Sequence, residues 1–271
     1  MELLLSNRII KNELPALVMG IVNVNEDSFF AQSRGGAERA FQLEEEGADL
    51  LDLGAESTRP GSSYISEDEE IKRLVPVIEK IRRKSNIPIC VDTRKFAVMK
   101  AAREAGADIL NDISALEDDE RLAEYCANSG ISVILMHKRG IPSTMQNNTT
   151  YHDIFSEVDE YLSRRADFAL KSGIKGVVVD AGIGFGKSVA GNLELVKKCG
   201  ALCDGRFPVL MALSRKSFIG AITSHKNPEE LLSGTLAANL VAIQSGASIV
   251  RVHDVLQTVD SIKILDAFCK I

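Results

Sequence analysis

Asp92, Asn111 and Asp180 each close a short apolar run, Ile89–Val91, Ile109–Leu110 and Val177–Val179 respectively. Two carboxylates and an amide that both donates and accepts can read a flat heterocycle carrying N–H and amino donors. A buried carboxylate discriminates strongly in that role, because an analogue lacking the donors leaves a charge unpaired. Cations follow the same pattern further along. Arg251-Val252-His253-Asp254 comes after Ile249–Val250, and strand alternation sends Arg251 and His253 to one side. A guanidinium offers a rigid donor fork to phosphate oxygens and an imidazole adds a shorter-range donor; salt bridges to neighbouring barrel carboxylates are the plainer alternative. Ser214-Arg215-Lys216-Ser217 follows Val209–Leu213 and opens a helix, where amides, hydroxyls and two cations can hold an anion or orient a polar ring.

Two turns add to this set. Glu56-Ser57-Thr58-Arg59-Pro60-Gly61 supplies charge and hydroxyls on a segment stiffened by Pro60. Asp180-Ala181-Gly182-Ile183-Gly184-Phe185-Gly186-Lys187 lets backbone approach a ligand, with Phe185 as an apolar wall. The glycine spacing is neither a Walker A loop nor GxGxxG, so no nucleotide site is read from it. His137 closes Ile131–Met136 and is either a proton carrier at the rim or a packed histidine. His137, His152, His225 and His253 have no zinc spacing, and the five cysteines do not supply one. An oxygen-loving ion held partly through phosphate fits better than a permanent structural metal.

Something must carry these groups to one place. Eight apolar runs end in polar residues, the others being Val18–Ile21 before Asn23 and Asp27, Leu50–Leu53 before Glu56 and Arg59, and Val133–Met136 before His137. Helical stretches are predicted between them: 37–46, 67–84, 97–104, 119–128, 151–172, 192–203, a segment after Arg215 continued by 228–244, and 255–268. The alternation predicts an α/β chain forming a single (β/α)8 TIM barrel over 1–271, with its active site at the C-terminal ends of the strands. Several runs are apolar on both faces, as parallel strands under helices must be. Glycines at 47, 106, 130, 173 and 246 each precede a strand, where they can end a helix in the left-handed region. Met19, Met136 and Met211 read as packing.

Bulk properties narrow the class. A chain of 271 residues with 45% hydrophobic composition matches one barrel. A net charge of −6 with scattered basic residues argues against a nucleic-acid partner. Unpaired cysteine spacing, no apolar leader in MELLLSNRII and no run of 18 apolar residues predict a soluble cytoplasmic enzyme away from membranes.

Taken in order along the chain, the motifs resemble one family. Met19-Gly20-Ile21-Val22-Asn23-Val24 leads to Asp27-Ser28-Phe29, followed by Glu56–Gly61, Val91-Asp92-Thr93, Asn111-Asp112-Ile113, Leu135-Met136-His137, Asp180–Lys187, Ser214–Ser217 and Arg251–Asp254. The chain is similar to the dihydropteroate synthases over essentially its whole length. The resemblance implies an alkyl transfer in folate synthesis, condensing 6-hydroxymethyl-7,8-dihydropterin pyrophosphate with 4-aminobenzoate to 7,8-dihydropteroate and pyrophosphate. It implies a pterin site at Asp92, Asn111, Asp180 and Lys216, and a pyrophosphate end at Asn23, Thr58, Arg59, Arg251 and His253 with Mg2+ at Asn23. The aminobenzoate side would be Pro60, Phe185, Lys216 and Ser217. Asp27, Phe29 and Met136 complete the substrate-binding set, with Asp92, Asp180, Lys216, Arg251 and His253 carrying the reaction. A homodimer is implied as well. The first loop departs from the family form: Asn25 and Glu26 stand for Thr-Pro, and Phe30 and Ala31 for Ser-Asp, which removes a carboxylate associated with organising the aminobenzoate pocket. Arg94, Phe96, Ala181 and Ile183 also differ from the usual Ser, Pro, Pro and Phe. The rival readings are a methyltetrahydrofolate-dependent methyltransferase domain and a noncatalytic pterin-binding homologue.

Overall fold

The chain opens with an antiparallel hairpin that the pattern of apolar runs does not reveal: β1 (Glu2–Leu5) pairs with β2 (Arg8–Lys11). Eight parallel strands then close on themselves: β3 (Leu17–Asn23), β4 (Leu50–Gly54), β5 (Ile89–Asp92), β6 (Ile109–Asp112), β7 (Ser132–Met136), β8 (Val177–Asp180), β9 (Val209–Met211) and β10 (Ile249–Val252). β10 pairs with β3 and β9, which completes the predicted barrel. This computed structural model describes residues 2–5, 8–24, 35–56, 65–140, 145 and 148–270; Asp27, Phe29, Thr58, Arg59 and Pro60 lie outside them.

Two apolar layers hold the barrel, and strand alternation assigns residues to each. Leu17, Met19, Leu50, Cys90, Ile109, Ile134, Val178, Leu210 and Ile249 fill the interior, joined by Leu3, Leu5 and Ile10 of the hairpin. Their neighbours Val18, Leu51, Leu53, Val91, Leu110, Val133, Val179 and Val250 face the helices. Burial on both faces explains why these strands read as continuous Val, Ile and Leu. At roughly 1.5–3 kcal/mol for each large apolar side chain fully removed from water, these layers dominate the stabilisation.

The outer ring comprises α1 (Gly36–Glu45), α2 (Glu67–Arg82), α3 (Phe96–Ala105), α4 (Arg121–Ser129), α5 (Ile154–Lys171), α6 (Val189–Lys197), α7 (Ser217–Thr223), α8 (Leu232–Gln244) and α9 (Val255–Cys269). Ser66 caps α2 by accepting from the Glu69 amide, and four acidic residues in the first turn complement the helix dipole. Asp153 caps α5, so this helix starts at Ile154, later than the predicted Tyr151. The predicted 192–203 helix instead starts at Val189 and ends at Lys197; a 3₁₀ segment follows, in which Leu202, Cys203 and Asp204 leave helical geometry. The Cys203 amide is taken by Asp159 at 2.6 Å, which fixes that exit. Gly106 ends α3 at φ 117°, a conformation that would strain any side chain. Among the described residues, no helix is long and apolar enough to cross a membrane.

Candidate active site

A carboxylate that motif reading passed over organises the C-terminal mouth. Asp52 sits inside the apolar run Leu50–Gly54 and is fully buried. Its Oδ2 accepts from Arg251 Nε at 2.5 Å and from Asn111 Nδ2 at 3.3 Å. Arg251 reaches Asp92 Oδ2 at 3.3 Å with a second nitrogen. Side chains from β4, β5, β6 and β10 are thereby joined at one end of the barrel, where pairing already sets Asp92 beside Asn111. The plainer alternative for Arg251 is therefore observed: at the mouth it is salt-bridged to Asp52 and Asp92.

Burial drives the electrostatics of this layer. Desolvation raises the pKa of Asp92, and the charge of Asp52 pushes it further in the same direction. Burial works against the Arg251 cation, but Asp52 and Asp92 beside it prevail and raise its pKa. The second oxygen of Asp52 is buried with no hydrogen-bond partner among the described residues. A charge inside a strand covered on both faces was the available signal for Asp52.

Asp180 ends β8, 4% exposed, with Oδ1 accepting from the Gly182 amide at 2.8 Å. Burial raises its pKa, opposed chiefly by Lys216 and also by Arg251. Lys216 precedes α7, donates to the Ile183 carbonyl and lies 5.1 Å from the Phe185 ring centroid. Desolvation pushes its ammonium down to about 8 while Asp180 supports the charge. Ser217 opens α7 and is exposed, whereas Met136 is buried at the register position beside Asp180. Asn23, half-buried, ends β3.

His253 is held from both sides: Nδ1 lies 2.9 Å from Ser214 Oγ, and its carbonyl accepts from Arg39 Nη2 at 2.9 Å. Ser214 thus orients the imidazole. Its neighbour Arg215 corrects the reading of two ligand cations, because it grips Asp254 bidentately at 3.0 and 2.7 Å and donates to the Pro228 carbonyl. Only Lys216 of that pair faces Asp180. His137 takes the packed alternative, buried with its ring edge-on to Tyr161. Desolvation and then the adjacent Lys187 push its pKa down to about 3, so the ring is neutral.

Glu56 also has a local task. Its Oε1 accepts from the Ile65 amide at 2.8 Å and from Lys95 Nζ at 2.6 Å, while Lys95 reaches Glu70 at 2.7 Å and the Ile65 carbonyl at 2.8 Å. Residues 56 and 65 are therefore pinned together through a buried ion cluster.

A barrel whose mouth combines buried carboxylates, an amide and convergent cations is a class met in known proteins. The model of a family described as pterin binding enzymes matches residues 19–253. A dihydropteroate synthase of Haemophilus influenzae is 39% identical over 274 residues, covering 98% of each chain. The solved Xanthomonas albilineans dihydropteroate synthase with 4-aminobenzoic acid superposes at TM-score 0.90 with 39% identity, over 100% of this chain and 98% of that one. The same organism's enzyme in complex with 7,8-dihydropteroate superposes at 0.85 with 36% identity, over 100% and 99%. The chain belongs to the dihydropteroate synthase family.

Proposed function

We infer that the chain condenses 6-hydroxymethyl-7,8-dihydropterin pyrophosphate with 4-aminobenzoate, releasing 7,8-dihydropteroate and pyrophosphate. The observation that carries this reading is the contact of Arg251 with both Asp52 and Asp92: a cation suited to phosphate stands beside Asp92, the carboxylate this reading assigns to the pterin. Both ends of one pterin pyrophosphate then fall within a single mouth. The relatives crystallised with 4-aminobenzoic acid and with 7,8-dihydropteroate supply the second substrate and the product.

The chemistry follows from the charges. Cleaving the bond between the pterin methylene carbon and oxygen leaves positive charge on carbon and negative charge on pyrophosphate. Asp180 faces the electron-poor ring, and Arg251 with His253 disperses charge on the leaving group in a site of low polarity. The arylamine nitrogen attacks the methylene carbon and loses a proton, so no enzyme nucleophile is needed. Lys216 and Phe185 flank its approach.

Asn23 ends β3 with a hard amide oxygen in its side chain. That donor set suits Mg2+ bound through Asn23, phosphate and water. When bound, the ion would neutralise leaving-group charge. A homodimer is favoured by α8 and α9, both apolar on average around the helix, with Val241, Leu256, Ile264 and Phe268 exposed. Cytoplasmic residence is supported by five free cysteines.

The test is an assay of the purified chain with pterin pyrophosphate, Mg2+ and 4-aminobenzoate, following both products. Equimolar dihydropteroate and pyrophosphate are expected; pterin binding with neither product would overturn the reading.

A further inference from the structure

Lys187 closes the Asp180–Lys187 turn, and the reaction gives it no direct task. It is only 4% exposed, and its ammonium lies 2.9 Å from the Gly182 carbonyl, 3.0 Å from the Phe185 carbonyl, 3.3 Å from the His137 carbonyl and 3.0 Å from His137 Nδ1. An ammonium has three protons and no acceptor, so every one of them is committed to fixing backbone or the neutral ring.

The segment it grips is the one that shapes the aminobenzoate side. Lys187 takes the carbonyls of 182 and 185, and the Ile183 carbonyl between them receives Lys216. Gly184 is tied separately, its amide donating to Asn192 Oδ1 at 2.9 Å. The turn also presses on the chain after β7: at Gly182, φ +65°, a Cβ would stand 1.8 Å from the His137 carbonyl oxygen, and at Gly186 one would stand 3.0 Å from that of Arg139. Contact that close leaves no room for a Cβ at 182 or 186, and the Lys187 side chain ties the two segments together by bonding to the carbonyls of both His137 and Gly182. Burial pushes the pKa of Lys187 down to about 7, opposed by Asp180 and reinforced by Lys216 and Arg139.

We propose that Lys187 is a positioning residue for the arylamine end of the site, holding the 182–185 backbone from behind so that the Phe185 ring and the Lys216 ammonium stand in register. The proposal rests on the condensation inferred above. On the pterin side Asp92 and Asn111 are fixed by the separate Asp52 and Arg251 network, while Asp180 and Lys216 bond to the turn, so loss of Lys187 falls more heavily on the aminobenzoate side than on the pterin.

The test is Lys187→Met in the full chain, with steady-state kinetics varying each substrate at saturation of the other. Withdrawing the ammonium from the Phe185 and His137 carbonyls, while that of Gly182 keeps the Phe185 amide, and loosening the turn should raise the aminobenzoate KM about tenfold. The pterin KM should rise less, by about threefold or under, since Asp92 and Asn111 keep their own network when the turn loosens. His137→Phe, which keeps a ring but withdraws one of the four acceptors, should give the same selective effect at about threefold. An unchanged aminobenzoate KM, or equal rises for both substrates, overturns the proposal. Should Lys187→Met not fold, His137→Phe decides on the same criteria. Failure of the parent chain to make dihydropteroate would instead remove the reaction itself.

Discussion

Asp52→Asn perturbs the mouth with almost no change in volume. In the parent, Asp52 is fully buried and receives Arg251 at 2.5 Å and Asn111 at 3.3 Å. Removing one partner of a buried ion pair costs about 3–5 kcal/mol. Asn still accepts hydrogen bonds, and Arg251 keeps Asp92 at 3.3 Å. Discounting by about half leaves ~2 kcal/mol, a fall in Tm of ~4–8 °C for a domain of this size. A pH signature accompanies it. Asp92 has its pKa raised by burial and then by Asp52. The folded state therefore holds a proton that the unfolded state has released, and stability declines as pH rises from the unfolded value to the folded one. Losing the Asp52 charge lowers the upper end of that window. Urea unfolding between pH 4 and 9 for parent and variant measures both effects. Equal midpoints with identical pH slopes would refute the claim that Asp52 organises the layer.

Lys216 should impose a descending limb on the rate near pH 8, because its folded pKa is about 8 and the cation beside Asp180 is lost above it. Lys216→Met should be slower and lack that limb, as a pH–rate profile would show. Arg215→Met should act mainly on stability, lowering it by about 3 kcal/mol through loss of the buried bidentate pair with Asp254; thermal melts beside KM values would show a large Tm change and small kinetic ones. Asp180→Asn should weaken pterin affinity by about tenfold or more, since a charge-assisted acceptor is replaced by a neutral one. Arg251→Ala should instead depress kcat with the pyrophosphate substrate, and isothermal titration with turnover assays separates the two.

The barrel was readable because each strand is buried on both faces and ends in a polar residue, so the punctuation between runs marks the rim. Asp92, Asn111, Asp180 and Arg251 were visible for that reason. Asp52 was passed over because it falls inside LLDLG rather than at the end of the run, and its partner Arg251 lies 199 positions away. Arg215 and Lys216 are adjacent and chemically alike, yet Arg215 takes φ 56° and turns to Asp254 while Lys216 remains extended and faces Asp180. Their divergence is tertiary and leaves no local trace. The opening hairpin was hidden by its brevity, with two four-residue strands and an outward Ile9. The terminus of the 192–203 helix was misjudged because Asp159, on α5, supplies the bond that ends the following turn.

That hairpin has a mechanical meaning. Leu3, Leu5 and Ile10 join the apolar layer inside the barrel, like a cork in a vial. An oily plug of that kind offers water no polar foothold on the way up to the buried carboxylates.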